Sequence, residues 1–559
     1  MAIKIYSAST DTTITNAYKP DLITRGTGSN MGFADVLEVF SISGQASASS
    51  DELSRSLLKF PVHEISASRA DLSIPKSGSV DFYLRLYNTP HTLTLPKNFT
   101  LEARPLTRAF EEGTGMDMDD YRDETYELEG ANWMYASSGT AWTVPGGDFL
   151  DDDHDNRAFY QTFEEGIEDL EIDITELVEE WMGEMGGTDG GHGGTARTNY
   201  GLLLKLSGGH EAYFSSSVIT GNDGDIGGAP NNGSRLHNLT GSDDSFYTKK
   251  FFARSSQYFF KTPRIEARWD SSIRDDSGNF YVSSALAPEL DNINTIYLYN
   301  YVRGQLQNIP AIGDSDIYMA LHTGSSPNNM DPVACEVKDH TPGGGTSAAF
   351  HTFVTGGWVE TGIYSASVAV TSSLSSNNYY IPIWQHGTEE TSSGRGSNDR
   401  GMTTLYTGSI IDAKTFDSRQ GNPSPAYVSA MPNLKREYTR KEEARLRLTA
   451  RDKDWCPTIY TVAKKEQQDI KIIENAYYRI FREVDGYEAI PYGTGSSTTP
   501  QAQDSTESYT RLSFDVSGNY FDFDMSLLEP GYSYGLQYVY YVNGSWKEQP
   551  ETFKFRVEE

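Results

Sequence analysis

Cysteine is nearly absent: the 559 residues contain only Cys335 and Cys456. They stand far apart, and neither has a metal-ligating neighbour at useful spacing, so no disulfide framework and no Cys/His metal site is expected. Long apolar runs are missing as well. Nothing reaches the roughly 18 consecutive apolar residues of a membrane span, so no membrane insertion is expected. Positive charge is scarce: 46 Lys and Arg face 78 Asp and Glu, a formal charge of −32. A surface of that sign repels phosphates, which argues against a nucleic-acid partner. The opening Met1-Ala2-Ile3-Lys4-Ile5-Tyr6 lacks the apolar core of a secretory signal. It predicts a chain made and kept in a cytoplasm.

Catalytic signatures are missing too. The ten histidines are scattered and form no His-Glu-x-x-His pair. His63, His154 and His210 stand near acids, but acids are everywhere. No Gly-x-Ser-x-Gly elbow precedes a helix, and no phosphate loop ends in Gly-Lys-Ser/Thr. Paired carboxylates carry no information here, because 78 acids guarantee accidental pairs. The expectation is therefore no catalytic residue, no cofactor and no enzyme.

What is present suits strands and turns. Aromatics reach 12%, with 35 Tyr and 25 Phe, beside 51 Gly. This composition suits strands joined by many turns and predicts an all-β chain; that its tandem antiparallel β-sandwich domains are jelly-roll and immunoglobulin-like is what the resemblances of its first and last parts imply. Three domains are expected, over 1–270, 271–425 and 426–559. In the first, Phe82-Tyr83-Leu84-Arg85-Leu86-Tyr87 reads as a strand, and Leu202-Leu203-Leu204-Lys205-Leu206 as a buried one. Asp173 to Met182 reads as a helix, because Ile174, Leu177, Val178 and Trp181 recur at three- and four-residue spacing. Gly186–Gly194 and Thr220–Ser242 read as long loops, ordered by a partner. In the second domain, Thr295–Tyr299, Asp316–Ala320, Trp358–Glu360 and Tyr379–Trp384 are strand-like, with turn-rich breaks at Pro342–Ser347 and Thr388–Asp399.

In the third domain, Ala444–Leu448, Tyr477–Arg482 and Phe521–Met525 alternate. Asp485-Gly486 marks a tight turn. Tyr538–Tyr541 and Phe553–Val557 read as the last hairpin, joined across Asn543-Gly544. Leu528-Glu529-Pro530-Gly531-Tyr532-Ser533-Tyr534 resembles the turn-plus-tyrosine corner of immunoglobulin and fibronectin type III sandwiches.

The first 270 residues carry a recognisable order of landmarks. It runs from Asp11-Thr12-Thr13-Ile14 through Val36–Phe40, Arg55–Phe60, Phe82–Tyr87, Trp133 and Trp142–Phe149. It continues through Leu170–Val178, Trp181, Asn199–Leu204, Ala212–Ser215 and Thr262–Ala267 to Trp269. This order resembles the DNRLRE family, β-sandwich modules akin to carbohydrate-binding domains on secreted and cell-surface proteins. The resemblance implies binding or building, not turnover. It makes Trp133 and Trp142 candidate glycan contacts, against the plainer reading that both pack under long loops.

Charge is unevenly spread. Asp151 to Glu184 holds fourteen acids against Arg157 alone. Leu434 to Arg451 is basic. The plainer reading is two solvated faces; the sharper one makes Arg440, Lys441, Arg445 and Arg447 an assembly face for an acidic neighbour. Asp151-Asp152-Asp153-His154-Asp155, Asn222-Asp223-Gly224-Asp225 and Asp275-Asp276-Ser277-Gly278-Asn279 could each hold structural calcium, or be solvated turns. Sandwich modules without a secretory signal point to a structural protein of a tailed-phage virion: tail, baseplate, neck or head surface. Its expected partners are other virion proteins, copies of itself and host surface glycan. The alternatives are a carbohydrate-binding adhesive module of a cell-surface protein and a glycan-active enzyme.

Overall fold

The computed structural model describes residues 3–47, 50–71, 73–75, 77–90, 95–117, 129–150, 158–183, 197–212, 241–242, 245–282, 293–323, 333–334, 338–339, 353–370, 379–387, 403–414, 426–456, 470–493 and 509–559. The chain is all-β, with two short α-helices, Val62–Ala70 and Thr175–Met182, among the described residues. It divides into two compact units, Ala2–Trp269 and Asp270–Asp504 with Ser508–Glu559. Each is described by itself. Gly186–Gly194, Asp151–Asp155, Asn222–Asp225, Pro342–Ser347, Thr388–Asp399, Cys335 and nearly all of Thr220–Ser242 lie outside the described residues.

The first unit is a jelly roll built by nested antiparallel pairing. Ile3–Ser7 pairs with Arg264–Arg268, Val36–Ser43 with Phe246–Phe252, and Asp51–Lys59 with Leu202–Leu206. Inside these, Asp81–Leu86 pairs with Leu170–Asp173 and Phe99–Pro105 with Phe159–Phe163. The pairs distribute over a four-stranded and a seven-stranded sheet. Phe82, Leu84, Leu86, Ile172 and Ile265 from the first sheet meet Leu58, Leu101, Leu202 and Leu204 from the second.

The seven-stranded sheet is covered on its other face too. Residues 106–117 and 129–149 fold back over it and bury Ile14, Leu57, Leu106, Trp133, Trp142, Phe149 and Leu203. This double cover explains why Leu202–Leu206 is buried at every position. The expected helix is present as Thr175–Met182, and the Asp173 carboxylate accepts the Thr175 N–H at its start. Helix Val62–Ala70 was not legible, because its inward face mixes Val62 and Ile65 with Arg69. That guanidinium is buried against Glu179 of the other helix, at 2.6 Å.

The second unit holds two sheet systems. The first runs Ile293–Tyr299, Ile363–Ala369, Val354–Glu360, Ile317–Thr323, Tyr379–His386, Thr403–Thr407. Ile296, Leu298, Met319, Leu321, Tyr364 and Trp384 fill its core. The second is an immunoglobulin-like sandwich. One sheet runs Tyr427–Ala430, Glu443–Asp452, Gly518–Asp524, Ser513–Asp515. The other runs Glu437–Thr439, Phe553–Glu558, Ser533–Val542, Ala476–Arg482, Glu488–Ile490, and the first of these strands pairs in parallel with the last strand of the chain. This is the strand arrangement of immunoglobulin sandwiches.

Tyr534 completes it: its hydroxyl donates to the Glu529 carbonyl at 2.8 Å, closing the tyrosine corner. One expectation is corrected. Asn543 and Gly544, both at positive φ, turn the chain into Ser545–Glu548, not into Phe553–Glu558. The last strand pairs instead with Ser533–Leu536, because the ten-residue strand Ser533–Val542 is long enough to hold one partner near each end.

Candidate functional site

The loops at one end of the jelly roll converge on Asn30. Its side-chain Nδ2 donates to the carbonyls of Glu112 and Ala131, and its Oδ1 accepts from the N–H groups of Gly32 and Gly115. Every hydrogen-bonding position of the amide head is used, so the side chain pins three loops at once. Glycines make room for it. A Cβ on Gly115 would stand 2.0 Å from the Asn30 carbonyl oxygen, and one on Gly130 2.2 Å from Asn30 Nδ2.

Beside this hub, Arg254 grips Glu112 through two nitrogens, at 2.8 to 3.1 Å. Glu112 accepts the Asp11 N–H, and Asp11 accepts the Arg254 N–H at 2.6 Å. Burial raises the Asp11 carboxyl to about 7, against the pull of the Arg254 N–H and with a further push from Glu112. Two apolar side chains stand outward on these pinned loops: Phe33 is 47% exposed and Met116 68%. The Phe33 N–H donates to the Gly115 carbonyl, which holds the two loops together. Tyr258 and Phe259, also exposed, follow Arg254.

Trp133 and Trp142 sit deeper, only 8% and 4% exposed, in the layer that covers the sheet. Trp142 Nε1 donates to the Asn132 carbonyl, and Arg55 lies over the Trp133 ring at 5.3 Å. Burial leaves neither indole a free face for a sugar, so the packing reading describes both in this structure. Asp148 shapes the neighbouring turn by accepting the N–H groups of Thr143 and Val144.

The basic stretch of the C-terminal sandwich is already paired within the chain. Arg445 holds Asp522 through two bonds of 2.8 Å, and Arg447 holds Asp515 at 2.7 and 3.0 Å. Lys435 pairs with Glu442. Arg440 is half-buried, and its N–H donates to the Glu558 carbonyl; Lys441 is exposed. Alternation along Glu443–Asp452 puts Arg445 and Arg447 on one face, and the facing strand Gly518–Asp524 supplies Asp522. An acidic neighbour would meet a face whose two central arginines already hold carboxylates. Several acids of the acidic segment are likewise paired: Glu179 with Arg69, Glu180 with Arg197, Glu165 with Lys97.

Asp275–Asn279 forms a short 3-10 turn in which Asp275 accepts from the Ser277 N–H and hydroxyl. Burial raises the Asp276 carboxyl to about 6, although the Thr295 N–H and Arg274 favour its charge. Among the described residues, no group of three or more His, Cys, Asp or Glu side chains is placed to hold a metal ion. No described helix is long and apolar enough to cross a membrane. Sequence reasoning missed the Asn30 hub, because its partners lie up to 101 residues away and only the glycines at 113, 115 and 130 hint at it.

No protein-family model matches the chain, and no curated protein matches it. Among solved structures, similarity extends to the FN1–FN3 domains of chicken CNTN1, at 9% identity over 56% of this chain and 82% of that one, with a TM-score of 0.14. A DUF4785 family protein from Legionella pneumophila aligns over 99% of this chain and 91% of its own at 7% identity, with a TM-score of 0.13. Native alpha-2-macroglobulin of Escherichia coli aligns over 100% of this chain and 34% of its own at 9% identity, with a TM-score of 0.14. At such scores none of them bears on fold or function.

Proposed function

We propose that this chain is a structural component of a tailed-phage virion, working through protein–protein interfaces with other virion proteins and copies of itself. The observation that carries the interface reading is the pinned loop end: Phe33 and Met116 stand exposed on loops locked by Asn30 and by the Arg254–Glu112 pair. Exposed apolar groups on a preorganised frame lose little entropy when a partner covers them. The virion assignment rests on the tandem sandwiches, the acidic composition and the DNRLRE-like order of landmarks. Glycan binding through Trp133 and Trp142 loses support from their burial.

The test is the full chain carrying Phe33→Ser and Met116→Ser together, followed for incorporation into particles. The expected result is a folded chain that no longer sediments with them. Undiminished incorporation overturns the reading.

A further inference from the structure

Lys249 lies on the edge strand Phe246–Phe252 and points inward, with no exposed surface. Its Nζ touches three oxygens: Asn88 Oδ1 at 2.7 Å, the Gly166 carbonyl at 2.8 Å and the Glu168 carbonyl at 2.7 Å. The Phe163 ring lies 4.7 Å from Nζ and the Phe251 ring 5.3 Å. Asn88 is held in place from its own backbone, because the Asp169 carboxylate accepts its N–H at 2.8 Å and it bridges to Phe251. A buried amine, a primary amide and a carboxyl group therefore meet in an aromatic pocket.

We propose that Lys249 and Asn88 form an intramolecular amide bond, a covalent cross-link between the edge strand and the end of strand Asp81–Leu86. The geometry selects the reacting direction. A neutral amine has two N–H bonds and one lone pair. Two of its three neighbours, the Gly166 and Glu168 carbonyls, can only accept, so they hold the two hydrogens. As an ammonium, Nζ donates its third N–H to Asn88 Oδ1; loss of that proton leaves the lone pair on the Asn88 side, with the amide carbon one bond beyond the oxygen that Nζ touches. Reactants held so close need no further collision.

In the reaction Nζ attacks Cγ of Asn88. A proton passes from Nζ to the amide nitrogen, and the Cγ–Nδ2 bond breaks. One ammonia leaves, and a secondary amide remains. No oxidant or other co-reactant is consumed. The proton transfer is assigned to the Asp169 carboxyl, which accepts the Asn88 backbone N–H and is among the charges acting on Lys249. Burial supports both roles. It pushes the Lys249 ammonium down to about 8, although Glu168 and Asp169 pull the other way. It also raises the Asp169 carboxyl, against the N–H of Asn88 and the nearby cations. A link between positions 161 residues apart would tie the edge of a roll that contains no cysteine.

The intact mass of the full chain, measured unfolded, tests this. The expected mass is lower than the sequence mass by one ammonia, and a protease digest should contain a branched peptide joining the segments of Asn88 and Lys249. Lys249→Met and Asn88→Ala should each show the full sequence mass. Asp169→Asn, read by the same mass on chain that keeps its strand spectrum, should leave the bond unformed; a bond formed to the normal extent removes Asp169 from the reaction. A wild-type chain at full mass, or an ammonia loss mapped elsewhere, overturns the proposal and leaves Lys249 as a buried ammonium satisfied by three acceptors.

Discussion

The jelly roll and the C-terminal sandwich fill their interiors differently. Among the least exposed side chains of the jelly roll are Arg268 and Lys249; in the C-terminal sandwich they are Tyr509, Tyr534, Tyr538 and Tyr540. On the four-stranded sheet of the jelly roll, Arg85, Arg264 and Arg268 surround Glu266 and Glu171. On the seven-stranded sheet, Arg55, Lys205 and Arg104 surround Glu211 and Glu102. The C-terminal sandwich keeps its ion pairs nearer the surface, as in Arg445–Asp522, and buries phenols. A phenol needs one hydrogen-bond partner, such as Ser429 for Tyr540 or the Glu529 carbonyl for Tyr534. A buried guanidinium needs carboxylates and cannot shed its charge. Single changes to charge should therefore damage the jelly roll far more than the C-terminal sandwich.

The largest expected effect is at Arg268. Its guanidinium is 1% exposed and bonds Glu266 at 2.6 Å and Glu171 at 2.9 Å. Burial alone would raise the Glu266 carboxyl, but Arg85, Arg268 and Arg264 together hold it down, to about 2. Arg268→Met strands Glu266 with less compensation, and breaking a buried pair costs about 3–5 kcal/mol. Denaturant unfolding of the full chain should show the jelly-roll transition weakened by that order, with the other transition unmoved. An equal loss from Arg445→Met would erase the contrast.

A smaller effect appears with pH. Asp11 is raised from 3.8 to about 7, so between those values the folded chain binds more protons than the unfolded one. Stability of the jelly roll should fall as pH rises through that window, and Asp11→Asn should flatten the slope. Glu266 acts in the opposite sense at lower pH. Its contribution is complete above its ordinary 4.5 and is lost as pH falls toward about 2. The jelly roll should thus be most stable between the ordinary values of the two groups, 3.8 and 4.5, measured as the unfolding midpoint across the range. A midpoint that rises steadily from pH 5 to pH 7 would contradict the Asp11 reading.

The same contrast decides what could be read from the residues. Strict alternation, as in Phe521–Asp524, names a strand with one buried face, and the Glu529 to Tyr534 corner is local enough to see. The jelly-roll strands were visible as apolar runs, but their nested order was not, since Ile3–Ser7 finds Arg264–Arg268 at the far end of the unit. Charge was the least legible property. Arg69 hides a helix face, and Arg445 and Arg447 look like a free basic stripe. Their partners, Glu179, Asp522 and Asp515, are 68 to 110 residues distant. The site suffers in the same way: Asn30, Glu112 and Arg254 come together only when the roll closes.

The smallest effect sharpens the comparison from the other side. Arg445 and Asp522 are about half exposed, 50% and 46%, and face each other across adjacent strands. Their two bonds are well formed at 2.8 Å, yet water competes for both groups and salt screens them. Exposed pairs of this kind contribute about 0.2–1 kcal/mol. A double-mutant cycle of Arg445→Ala and Asp522→Ala in the full chain should therefore return a coupling inside that range, shrinking further near 1 M salt. Arg445 also lies over the Tyr520 ring at 4.6 Å, so Arg445→Ala should cost more than Asp522→Ala, through lost packing that salt does not screen. If the coupling instead matched the loss at Arg268 and ignored salt, exposure would not be what separates the two sandwiches, and the ladder of cross-strand partners itself would have to carry the difference.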